Sequence, residues 1–221
     1  MAVRPCGVNA PVALRAHNPG MDDIVRQALA KWPNVPHCYG WLGLDARGNW
    51  YLRDNQAQAL GPFASGLLES KGSMLRHAKL IDFIQRNYDS DPQGQWFFQN
   101  GPQRVFVELD YTPWIVRLVA DGAVPSFTTT TGAAFAPTGC FADEQGNVLL
   151  SGRVAGWDAE DTIAVLHDHD LEPFSSLAQW HGQACGAALG TLTIDSRTFD
   201  IEPIRRAEVA RRYGFVSHPA P

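Results

Sequence analysis

Apolar and polar positions alternate along this chain in two periods. Ile24, Val25, Ala28, Leu29 and Trp32 share one face at helical spacing. Asn18 and Pro19 suit the cap and first position of that helix. Asp22 and Asp23 stand where the helix dipole favours acids. Pro33 and Pro36 end it. A second helical stripe runs through Met74, Leu75, Ala78, Ile81, Ile84 and Tyr88, with Ser73 as its cap. A closing helix is expected over Ala207 to Tyr213. Between the first two stripes, residues 55–71 are small and polar and read as a loop.

Strand signals fill the rest. Tyr39 to Leu44 and Asn49 to Leu52 make a first hairpin. Gln95 to Leu118 is extended, interrupted by Asn100-Gly101 and by Thr112-Pro113. Within it Val105, Val107 and Leu109 alternate with Phe106, Glu108 and Asp110, so the first set should face the core and the second solvent. Ser126 to Thr131 reads as a strand edge, and Cys140 to Leu150 as another hairpin. Leu192 to Ile194 and Phe199 to Ile201 flank a further turn. Ile163 to Leu166 fits a strand or a helix end.

One turn formula is written three times, about fifty residues apart: Asp45-Ala-Arg-Gly48, Asp91-Pro-Gln-Gly94 and Asp143-Glu-Gln-Gly146. Each is followed by an amide residue and three large apolar residues. Asp bonds the backbone two residues on, and Gly supplies the positive φ. The fold class expected is α+β: repeated hairpin units forming mostly antiparallel sheets, with a few packing helices. The organisation expected is a flexible extension over 1–18, an α+β unit over 19–135 with two repeats, a unit over 136–216 with the third, and a flexible tail over 217–221.

Composition narrows the function classes. At 221 residues and 45% hydrophobic, the chain can bury a sizeable core. A net charge of −5 gives no footprint for nucleic acid. No apolar run is long enough for a membrane span, and the first twenty residues lack a signal-peptide core. Cys6, Cys38, Cys140 and Cys185 are widely spaced and read as reduced thiols, which suits the cytoplasm.

The stretch Gly94 to Leu118, the helix HAKLIDFIQRNY before it, Gly48-Asn49-Trp50 and the Thr112-Pro113 pair resemble a group of uncharacterised proteobacterial proteins related to the domain of unknown function 1285 family. The match covers roughly residues 30 to 150 and is most specific over Phe98 to Val105. The resemblance implies an α+β fold with repeated motifs. It implies no activity, only a role in signal transduction suggested from structure. Trp114 stands after Pro113 where that family usually carries an acid.

Two groups of residues offer chemistry. Arg104 and Arg117, with Asn100 and Gln103, read as a cationic site for a small anion, because guanidinium forks suit carboxylate and phosphate. The competing reading pairs those arginines with Glu108 and Asp110. The run His167-Asp168-His169-Asp170, with His181 and Cys185 downstream, has the donors of a metal site but lies in an acidic stretch typical of a solvated loop. Asp89 to Gly94 begins like a calcium loop but has Gln93 and Asn100 at positions five and twelve, so no metal is expected there. No nucleophile elbow, phosphate-binding loop or dinucleotide fingerprint is present. The first reading is therefore a non-enzymatic protein, without a cofactor, that binds a small anion or a protein partner, with signalling as its context. The alternative is a metal-dependent enzyme using His167, His169 and His181.

Overall fold

The computed structural model describes residues 21–32, 35–120, 124–157, 161–181 and 188–221. The predicted Asn18-Pro19 helix start, the 1–18 extension and Cys185 lie outside them. Helix α1 (Asp23–Lys31) buries Val25 and is closed by Trp32. Strands β1 (Cys38–Leu44) and β2 (Trp50–Leu52) pair across the first Asp-x-x-Gly turn. The segment read as a loop contains a short helix α2 (Asn55–Ala59), which Asp54 caps by accepting the Ala57 N–H at 2.8 Å. Ser73 and Met74 do not open the next helix. They form strand β3 (Ser73–Met74) on the edge of β2, and Leu75 N–H donates to Trp50. Helix α3 (Ala78–Arg86) starts later, with the His77 ring accepting from Leu80 N–H.

Tyr88, read as the helix end, opens strand β4 (Tyr88–Ser90). The second turn then leads into β5 (Trp96–Asn100) and, through Asn100-Gly101, β6 (Gln103–Leu109). These strands make one six-stranded sheet in the order β3-β2-β1-β6-β5-β4. The β1–β6 pairing is parallel, so the sheet is mixed.

The sheets change over between Leu109 and Trp114, upstream of the 135/136 division read from the sequence. The second sheet contains β7 (Trp114–Val119), β8 (Ser126–Thr129), β9 (Ala134–Ala142), β10 (Val148–Val154) and β11 (Thr162–Leu166). After helix α4 (Leu171–Ser175) it adds β12 (Ala178–Trp180), β13 (Gly190–Ile194) and β14 (Arg197–Pro203). Helix α5 (Arg206–Tyr213) ends at Gly214, which is left-handed. Residues 163–166, open between strand and helix in the sequence, are strand. The sheet order is β10-β11-β7-β8-β9-β14-β13-β12, and β9 also pairs with β10. That second pairing closes five strands, β10, β11, β7, β8 and β9, into a ring, which removes their free edges. β9 is long enough to serve β8 at one end and β14 at the other. The β7–β11 and β9–β14 pairings are parallel. The α+β class stands. The sheets are mixed rather than purely antiparallel.

The three Asp-x-x-Gly turns share one bonding pattern. Asp45, Asp91 and Asp143 each accept from the backbone N–H two and four residues on, at 2.8–3.0 Å. Gly48, Gly94 and Gly146 have φ near +80°. Each turn joins an antiparallel pair.

One apolar core spans both sheets. Leu42, Leu44, Val107 and Leu109 of the first meet Trp114, Ile115 and Leu149 of the second. Tyr88, Trp96, Trp114 and Trp157 fill the junction, with ring centroids 4.8–5.7 Å apart. Trp50, Trp96, Ile84, Val107 and Leu109 are buried as expected, and Ile81 and Val105 partly so.

The expected in–out alternation of β6 fails. Phe106 and Glu108 are buried too, because the other face is also covered. There Tyr39 stacks on Phe106, and Phe63, from the loop after α2, lies where a Cβ on Gly43 would clash. Residues 217–221, read as a free tail, run along the first sheet. Ser217 accepts the Leu109 N–H at 2.9 Å, Val216 N–H donates to Gly94, and Pro219 is buried.

Candidate functional site

β11 ends at the buried Leu166, and His167 extends its pairing by donating its N–H to Val116 at 2.9 Å. The chain then makes a single 3₁₀ turn, Asp168–Asp170, which runs directly into α4. His167 caps this turn: its Nδ1 accepts the His169 N–H at 3.2 Å, and its carbonyl accepts the Asp170 N–H at 2.9 Å. The solvated loop expected here is therefore a structured turn with His167 and Asp170 buried. The reason is that Asp170 reaches back to β7. Its carboxylate takes Arg117 through two bonds, 2.6 and 2.9 Å, and the Leu118 N–H at 2.9 Å. Burial works against the Asp170 charge, but the Arg117 and Leu118 bonds outweigh it, so its pKa lies below the ordinary carboxylate value.

His167, Asp168 and His169 present ligand atoms within 4.8 Å of one another. The two rings are 4.7 Å apart. Asp168 Oδ2 pairs with Arg47 at 2.6 Å, which brings the first Asp-x-x-Gly turn onto the second sheet. Asp168 Oδ1 is shielded from solvent and lies 3.0 Å from His167 Nδ1. A protonated Nδ1 would donate to it, but the same nitrogen then could not accept from His169. Burial and, after it, the Arg117 charge lower the His167 pKa, with Asp168 opposing them. The ring is therefore neutral, and its Nδ1 can either donate to Asp168 Oδ1 at 3.0 Å or accept the His169 N–H at 3.2 Å. His181, downstream of β12, is not part of this cluster.

The arginine site of the sequence reading is not assembled as drawn. Arg104 lies on β6 in the first sheet and Arg117 on β7 in the second. Arg117 is held by Asp170. Arg104 sits over the Phe97 ring at 4.4 Å and has no acidic partner among the described residues. Gln103 is the strand neighbour of Arg104, so it points to the opposite face and instead donates to Pro36 at 2.9 Å. Asn100 pairs with Gln103 across the hairpin. The acids expected to neutralise these arginines serve other cations. Glu108 binds the buried Arg53, and Asp110 binds Lys71 at 3.1 Å. Arg53 was missed in the sequence: one arginine between a strand and a small-residue loop carries no pattern. Asp91, at the third position of the calcium-like run, has both oxygens engaged by the N–H groups and side chain of its own turn.

The family model DUF2944, described as a protein of unknown function (DUF2946), matches residues 21–220. The chain belongs to this family. No curated protein matches the DUF2944 chain. Among solved structures it is similar to a DUF1285 family protein from Silicibacter pomeroyi DSS-3, at 12% identity and a TM-score of 0.47, covering 86% of this chain and 91% of that one. It is also similar to a DUF1285 family protein from Shewanella baltica OS155, at 13% identity and a TM-score of 0.39, covering 62% and 91%. Among the described residues no helix is long and apolar enough to cross a membrane.

Proposed function

We propose that this DUF2944 chain is a non-enzymatic binding protein and that its ligand seat is the His167–Asp170 turn. The observation that carries the reading is the grouping of His167, Asp168 and His169, whose ligand atoms lie within 4.8 Å of one another on one ordered turn. A non-catalytic role fits the other shifted groups, which are committed to structure. Asp143 is lowered because bonds from Asn147, Tyr111 and Gln145 outweigh its burial. The Cys140 thiol is pushed up to about 12 by burial, which makes it inert. Cys140 and Cys38 are unpaired thiols, which supports the cytoplasm as the proposed compartment.

A panel of divalent ions, inorganic phosphate and small carboxylates, screened by thermal unfolding, tests this. A ligand of the native state raises the melting temperature. The expected result is at least one stabilising compound whose effect disappears in H167A/H169A. Stabilisation that survives that change would reject the turn as the seat. A second reading, a small-anion site on the first sheet, is favoured by the unpaired, half-buried Arg104 alone. It requires phosphate or carboxylate stabilisation that R104A abolishes.

A further inference from the structure

We infer that the His167–Asp170 turn binds a divalent transition-metal ion of the zinc class, through Asp168 Oδ1 and one imidazole nitrogen each from His167 and His169. This rests on the turn being the ligand seat and names what it takes. Three features of the turn point to a cation rather than an anion or a hydrogen-bonding solute.

The first is the spacing of the donor atoms. Asp168 Oδ1 and His167 Nδ1 lie 3.0 Å apart. A cation that displaces any proton on that nitrogen takes both atoms as ligands. A tetrahedral shell with ligands at about 2.0–2.1 Å sets neighbouring donor atoms about 3.4 Å apart, so this pair already has a suitable bite. His169 is exposed, and its ligand atom lies within 4.8 Å of the others, so a side-chain rotation brings it in. The His169 N–H gives up only a 3.2 Å bond when Nδ1 turns to the metal.

The second is orientation. Arg47 holds Asp168 through Oδ2, which leaves Oδ1 as the presented atom. Arg117 and Leu118 fix Asp170, and so fix the turn from the other side. Metal sites depend on such outer partners to hold the ligands in place.

The third is donor chemistry. Two of the three donors are nitrogen. Magnesium and calcium take oxygen ligands, six or more for calcium, whereas imidazole with carboxylate suits zinc, nickel and copper. Three protein ligands leave a fourth position for water or an outside ligand.

Equilibrium dialysis of the full chain against zinc chloride, with nickel, magnesium and calcium chlorides in parallel, tests the assignment. Wild type should hold one zinc ion per chain and neither magnesium nor calcium. D168N, which keeps the side-chain shape, and H169A, at an exposed position, should each weaken zinc at least about tenfold, the loss that removal of even an outer partner of a metal ligand brings. These two variants keep the test valid if H167A fails to fold, and circular dichroism checks each. Zinc retained equally by D168N and H169A overturns the assignment. Absent zinc binding also overturns it. If inorganic phosphate then stabilises wild type but not H167A/H169A, the turn remains the ligand seat and only the metal falls. If no compound stabilises through the turn, both readings fall.

Discussion

Asp45, Asp91 and Asp143 do the same local work, but their glycines do not stand in equal surroundings. A Cβ on Gly94 would lie 2.0 Å from the Gly214 carbonyl, whereas one on Gly146 meets nothing within 4 Å. Gly146→Ala should therefore cost only the left-handed backbone penalty, about 1–2 kcal/mol. Gly94→Ala should cost clearly more, because α5 and the 214–219 segment must move. Urea unfolding of the two variants checks this, and equal losses would contradict it. Trp96, 4% exposed among Tyr88, Trp114 and Trp157, should cost about 3–5 kcal/mol on truncation to Ala. Acid sensitivity also belongs to single residues. Asp143 and Asp170 have lowered pKa values in the folded chain. Their contribution is complete above the ordinary carboxylate value, about 3.9, and is lost as pH falls through their folded values. His167 is also lowered, so below about pH 6.5 the unfolded chain takes up its proton more readily and stability declines there first. Unfolding free energy should fall from pH 7 to pH 3, and the early decline should be absent in H167A. A profile flat over that range would contradict the assigned neutral ring.

Helices and strands were legible where their signal is local. The turn formula needs only an Asp, a Gly and a following apolar run, and three hairpins follow it. α1 and α3 were found by periodicity. The start of α3 was misplaced because Ser73, a good cap by composition, is taken by the β2 edge, a tertiary competitor that no helix signal reveals. The inside-out alternation of β6 failed for a similar reason. The segment after Arg53 folds over the outer face of the first sheet, so Phe106 and Glu108 are covered by residues distant in sequence. Arg53 and Glu108 hold that cover: Arg53 also donates to the Ser70, Gly40, Ala57 and Gly61 carbonyls, and Glu108 accepts the Phe63 N–H. Arg53→Met should cost about 3–5 kcal/mol, because it leaves Glu108 buried without its cation. The double change R53M/E108L should recover most of the loss. A single variant as stable as wild type would show that the pair does not organise this layer.

At the scale of the molecule, the two sheets are joined at their turns. The first turn reaches Asp168 through Arg47, and Gly48 lies against Thr130. The second carries the 214–216 segment on Gly94. The third ties Asp143 to Tyr111 at 2.8 Å and Glu144 to the start of α5. These partners are far apart in sequence, so repetition marked where the turns were but not what they touch. The same distance hid the candidate site. The histidine run was visible, but its order depends on Arg47 and Arg117, from two other parts of the chain, and Arg117 had been assigned to another site. The most direct measurement is anomalous diffraction at the zinc edge from a crystal of the full chain soaked in zinc. The expected result is one strong peak about 2.0–2.2 Å from Asp168 Oδ1 and from a ring nitrogen of His167 and of His169. No peak at this turn, or a principal peak on other residues, would contradict the site.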